Sequence, residues 1–146
     1  MQKLPSLSLG FFALGTTLLI GFKTPVFAQA AASPKPIAKQ QLDELLAIGA
    51  LNICSLLEDK VPYRVAMKSN IISIGSFISY VHGSQIEGAN GGKALSQDSL
   101  SQGLAVQLSY GVVSRCEKQI PERDLSEIKK AFAELEKASK EESLKK

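Results

Sequence analysis

The side chains able to do chemistry in this chain are few. His82 is the only imidazole; Ser84 and Glu87 follow it, at the start of a glycine-rich segment spanning residues 83–93 (GSQIEGANGGK). Serine, histidine and an acid are the parts of a nucleophilic triad, in which the ring takes the serine proton and the acid orients the ring. No G-x-S-x-G elbow surrounds Ser84, and residues so close in sequence rarely reach triad geometry. A histidine near the C-terminal end of a helix is also favoured simply by the helix dipole, and that is the leading reading of His82. The secondary reading is a ligand loop of His82, Gly83, Ser84 and Glu87. The glycines themselves do not make a phosphate cradle: G-x-x-x-x-G-K-[ST], counted back from Gly92-Lys93, meets Glu87 where the first glycine belongs, and Ala94 follows the lysine. No strand precedes them, so a dinucleotide fingerprint fails too. Glu87 and Asp98 could in principle act as paired carboxylates, but nothing in their spacing demands it. One His and two Cys cannot supply a His- or Cys-rich metal site, and no motif calls for a cofactor.

Cys54 and Cys116 have one intramolecular pairing open to them, closing a loop of about 62 residues, which is worth roughly 4 kcal/mol by chain entropy. A redox-active pair usually has closer spacing, such as C-x-x-C, and free or intermolecular thiols are the other alternative. The choice depends on compartment, and residues 1–30 speak to that. Lys3 supplies a positive start, Leu7 to Phe22 form an apolar run broken by small residues, and Ala28-Gln29-Ala30 gives the small-x-small pattern before a cut between Ala30 and Ala31. The run is short and glycine-containing for a membrane span of about 20 residues, although an uncleaved anchor is the alternative. A cleaved signal peptide predicts export to a periplasm, an equivalent lumen or the medium, where a disulfide between Cys54 and Cys116 is the expected state.

Cleavage changes the charge balance. The whole chain of 146 residues has 17 basic and 14 acidic side chains, but Lys3 and Lys23 leave with the leader, so residues 31–146 carry 15 against 14. Nucleic-acid binding needs a clustered basic excess, and none is present. Phe77, Phe132, Tyr63, Tyr80 and Tyr110 are the only aromatics left, too few to stack bases. The tyrosines are expected at the edge of the core.

The elements that position these residues read as helices. Residues 31–37 are a Pro-containing flexible linker. From Ala38, Leu42, Leu45, Leu46, Gly49, Ile53, Leu56 and Leu57 recur at spacings of three and four, with Cys54 at the edge of that face. Val61-Pro62 marks a new start. A second helix over 62–82 buries Met67, Ile71, Ile74, Ile78, Val81 and Phe77, while Ser69, Ser73, Ser76 and Ser79 line its reverse, as a wet face or a place for close backbone approach. Leu95, Ser96, Asp98 and Leu100 form a staple and cap for a third helix, with Leu100, Leu104, Leu108 and Val112 as its ridge. Pro121 opens a fourth, with a narrow stripe of Leu125, Ile128, Phe132 and Leu135, and residues 137–146 form a charged tail expected to fray. The expected fold is all-α, a small four-helix bundle over 38–136 stapled by one disulfide. The second and third helices should be central and the fourth peripheral. The chain after the leader has no segment suited to a stable membrane span.

Asn52-Ile53-Cys54, Val61-Pro62, His82-Gly83-Ser84, and Cys116 followed by Ile120-Pro121 resemble small exported cyanobacterial helical proteins of unestablished function, a likeness covering residues 42–135. Some such chains carry a cyclic-nucleotide phosphodiesterase label, which implies a two-metal hydrolase with several His and Asp ligands; a single His does not meet it. Small periplasmic acid-stress chaperones are similar in architecture, helical with one disulfide between distant helices, without a matching motif. The function expected is thus non-catalytic: an exported helical protein that binds an unidentified protein partner, as an assembly factor or chaperone-like. The alternative is a small hydrolase or small-ligand-binding protein using His82 and loop 83–92.

Overall fold

The computed structural model describes residues 34–143, so the leader and the Ala30–Ala31 cut lie outside the described residues. Four helices make up most of it: α1 (Lys39–Glu58), α2 (Tyr63–His82), α3 (Gln97–Cys116) and α4 (Glu122–Ser143). The fold is all-α, with one disulfide joining the end of α1 to the end of α3 through Cys54 and Cys116, whose Cα atoms are 5.9 Å apart.

Local chemistry sets the boundaries. α1 stops where Lys60 enters the left-handed region (φ 64°) and Pro62 bars helix from the residue before it. α2 ends at Gly83, also left-handed (φ 58°), and the Ser84 amide turns back to donate to the Ile78 carbonyl at 3.2 Å. At the start of α3 the Ser96 hydroxyl accepts from the Ser99 amide at 3.1 Å, the cap expected from the sequence, with Asp98 in the first turn.

The core lies between α1, α2 and α3. Ile53, Ile78, Leu100, Leu108 and Val112 are fully buried, each contributing about 1.5–3 kcal/mol by leaving water. α1 is as central as its two neighbours, because its small residues let both come close. A Cβ on Gly49 would stand 2.8 Å from Ile74 Cδ1 and 2.9 Å from Leu108 Cδ2, and one on Gly111 would stand 2.8 Å from Ala50 Cβ. Buried Asn70 is satisfied within this packing: its amide donates to the Ala66 carbonyl at 2.9 Å and its oxygen accepts from Asn52 at 3.0 Å.

α4 lies outside the three-helix core, as its narrow apolar stripe implies. It is held by Arg64 of α2, which reaches Asp124 and Glu127, and by Phe132 stacked on Tyr110 at 3.7 Å.

Three expectations need correction. The linker is not free throughout: Ile37 is fully buried and exchanges backbone hydrogen bonds with the segment after α2, its amide donating to Gln85 and its carbonyl accepting from Glu87, both at 3.0 Å. Docked there, residues 34–37 form a strap that turns the buried arc of α2 toward His82. Phe77 and Val81 are accordingly partly exposed, and Tyr63, Ala66, Asn70 and Gly75 are buried instead. Finally, α4 runs on through the charged tail to Ser143, where a Lys140–Glu136 pair one turn apart supports it.

Candidate functional site

At the C-terminal end of α2, His82 is buried, and its Nδ1 donates to the carbonyl of Lys35 in the strap at 2.8 Å, which fixes the ring as the Nδ1–H form. Its Nε2 is enclosed without a partner. Phe77 meets the ring edge-on at 5.6 Å. Ser84, itself left-handed at φ 59°, donates its hydroxyl to Ser79 Oγ at 3.0 Å, and Glu87 is exposed. The residues grouped by sequence thus stay neighbours, but the ring and the hydroxyl are each spent on a structural contact. Gly83 has a packing reason as well as a conformational one, since a Cβ there would stand 2.6 Å from Pro34 Cγ. The arrangement latches the strap to α2.

A second cluster, absent from the sequence reading, sits between α2, α3 and α4. Arg64 Nε donates to Asp124 Oδ1 at 2.9 Å and Nη2 to Glu127 Oε2 at 2.7 Å, so one guanidinium binds two carboxylates on the same face of α4. The Asp124 carboxylate is nearly buried, while Arg64 is exposed. Asp124 first, then Glu127, holds the Arg64 pKa above its ordinary value. Tyr63, close by, lies 3.5 Å from Ser109 Oγ; burial raises its pKa, with the Ser109 hydrogen bond opposing and the Asp124 charge adding to the rise. A groove of about 390 Å³ runs from here between α3 and α4, walled by Ala105, Val106, Ile128, Ala131, Phe132 and Leu135. The spacing of Asp124 and Glu127, three apart on one helix face, is the only sequence signal that could have pointed to it. Another cavity, of about 540 Å³, opens at the disulfide end with a mixed polar and apolar lining, where Gln119 donates to Glu58 at 3.1 Å.

None of these places joins a nucleophile, a base and an orienting acid. Among the described residues, no group of three or more His, Cys, Asp or Glu side chains could hold a metal ion, and no helix is long and apolar enough to cross a membrane.

The third feature is a surface. From Leu45 to Leu57 α1 carries no charge, and neither does α2 from Ser69 to Val81. Yet the outward sides of these helices are not simply polar: Ile48 and Leu51 on α1, and Val65, Ile72 and Val81 on α2, stand exposed, and Tyr80 is 93% exposed. Ser69, Ser73 and Ser76 are exposed among them, which decides in favour of the wet reading of the serine face in this chain alone. α4 is held against the first turn of α2 by Arg64 and lies along α3, and among the described residues nothing covers this outer side of α2. Tyr80 was expected at the core edge and instead projects fully.

No curated protein and no solved structure matches the chain. One family does, over residues 40–143, a stretch that takes in the four helices almost end to end. The chain therefore belongs to the family described as a domain of unknown function, DUF8650.

Proposed function

We propose that this is an exported, non-catalytic helical protein that binds another protein through the uncharged outer surface of α1 and α2, as an assembly factor or chaperone-like module. The observation carrying the reading is the 93% exposed Tyr80 amid Ile72, Val65 and small serines, on a helix with no charge from Ser69 to Val81. Contiguous apolar surface with few charges is costly to leave in water and marks protein contact. Its complement is an apolar, weakly charged surface on a partner. Export is supported by the leader pattern in residues 1–30, by the Cys54–Cys116 disulfide, which persists in oxidising compartments, and by the resemblance to small exported helical proteins.

Photocrosslinking in the host tests this. A photoreactive side chain at Ile72 is expected to give a discrete protein adduct, and one at Lys130 on the charged face of α4 is not. Equal crosslinking at both positions, or none at Ile72, contradicts the reading.

The alternative, a small hydrolase or small-ligand-binding protein at His82 and loop 83–92, has one observation in its favour, the unpartnered buried Nε2. Unchanged small-molecule binding in His82→Ala removes it.

A further inference from the structure

We infer that α2 pairs with α2 of a second copy of this chain, antiparallel, each Tyr80 seated among Ser69, Ile72, Ser73 and Ser76 of the other. This rests on the reading that the uncharged surface binds protein, and it names the partner.

The four residues have the spacing i, i+3, i+4, i+7, which is the outline of a hole that receives a side chain from a facing helix. Three of them are serines, so the hole is deep enough for a phenol ring, and the fourth, Ile72, 56% exposed, gives it an apolar wall. Tyr80 lies one turn beyond, on the same side of the helix, and is 93% exposed. A knob and a matching hole on one helix are self-complementary. Seating Tyr80 over the hole of a second copy puts the two-fold axis at Ser76, and the same contact is then made twice.

Charge selects this direction over the parallel one. Lys68 is the one charged side chain of α2 between Val65 and Val81, and it is exposed, whereas Arg64 is taken up by Asp124 and Glu127 of α4. Parallel pairing in register would set each Lys68 against its own copy. Antiparallel pairing about Ser76 sets each Lys68 opposite the C-terminal end of the other α2, where the carbonyls leave partial negative charge. A 20-residue helix is about 30 Å long, so one helix pair makes a contact at the small end of specific interfaces, and the dimer should dissociate on dilution.

The test is sedimentation equilibrium on protein expressed from its full-length coding sequence and purified oxidised, from low to high micromolar loading. The wild type is expected to shift from monomer to dimer across the range, and Tyr80→Glu to remain monomer with an unchanged far-UV spectrum, since the side chain makes no folded-state contact to lose. Ser76→Cys should give a covalent dimer on a non-reducing gel. A wild type that stays monomeric throughout overturns the inference, as does a dimer that survives Tyr80→Glu. A monomer that still yields an Ile72 adduct of a different protein overturns only the identity of the partner; a monomer with no adduct at all overturns the binding reading with it.

Discussion

Residue by residue, the polar groups of this protein act as fasteners. The His82 ring holds the strap through the Lys35 carbonyl, and Arg64 holds α4 through Asp124 and Glu127. Replacing His82 with Ala should cost roughly 1–2 kcal/mol, the worth of a part-buried hydrogen bond with its packing. It should also speed amide exchange at Ile37 and Glu87 while leaving the centre of α3 protected; unchanged exchange at those two amides would mean the strap is held by Ile37 alone. Tyr63 makes a pH prediction. Its pKa is raised by burial, so the contribution to stability is whole below the ordinary tyrosine value and is lost as pH rises through the folded-state value. The unfolding midpoint in urea should therefore fall on the alkaline side of about pH 10. Tyr63→Phe should flatten that fall relative to the wild type, and parallel profiles for the two proteins would refute it.

At the scale of helices, most of the fold was legible in the sequence because it depends on period and caps. The ridge Leu100, Leu104, Leu108 and Val112 is buried throughout, and Ser96 caps α3. The strap was not legible: Pro34 to Ile37 has no periodicity, and its burial depends on Gln85 and Glu87, which lie about 50 residues away and outside any regular element. The Arg64–Asp124 pair, 60 residues apart, was hidden for the same reason. The closeness of α1 to its neighbours is also a tertiary fact, and glycines test it. Gly111→Ala sets a methyl against Ala50 Cβ, which cannot rotate away, so the overpacking should cost about 1–3 kcal/mol. Gly103→Ala, on the same helix with open space beside it, should stabilise by about 0.5–1 kcal/mol through helix propensity. Chemical denaturation of the two variants checks the contrast, and equal effects would show that α1 and α3 do not touch at Gly111.

For the whole molecule, the disulfide and the bare α2 surface belong to one account. The Cys54–Cys116 bond closes a separation of 62 residues, and replacing both cysteines with serine should lower unfolding free energy by about 4 kcal/mol if chain entropy dominates. The fold that results has a side where α4 lies along α3 and an open side where Tyr80, Ile72 and Val65 meet water. The sequence pointed to that open side as an uncharged, serine-lined helix, but Tyr80 could not be assigned to solvent before the positions of α1 and α3 were known. The most direct measurement is hydroxyl-radical footprinting of Tyr80 in the host compartment compared with purified, dilute protein. Strong protection in the compartment and full reactivity after dilution are predicted, whereas equal reactivity in both would show that nothing covers this surface and would contradict the account.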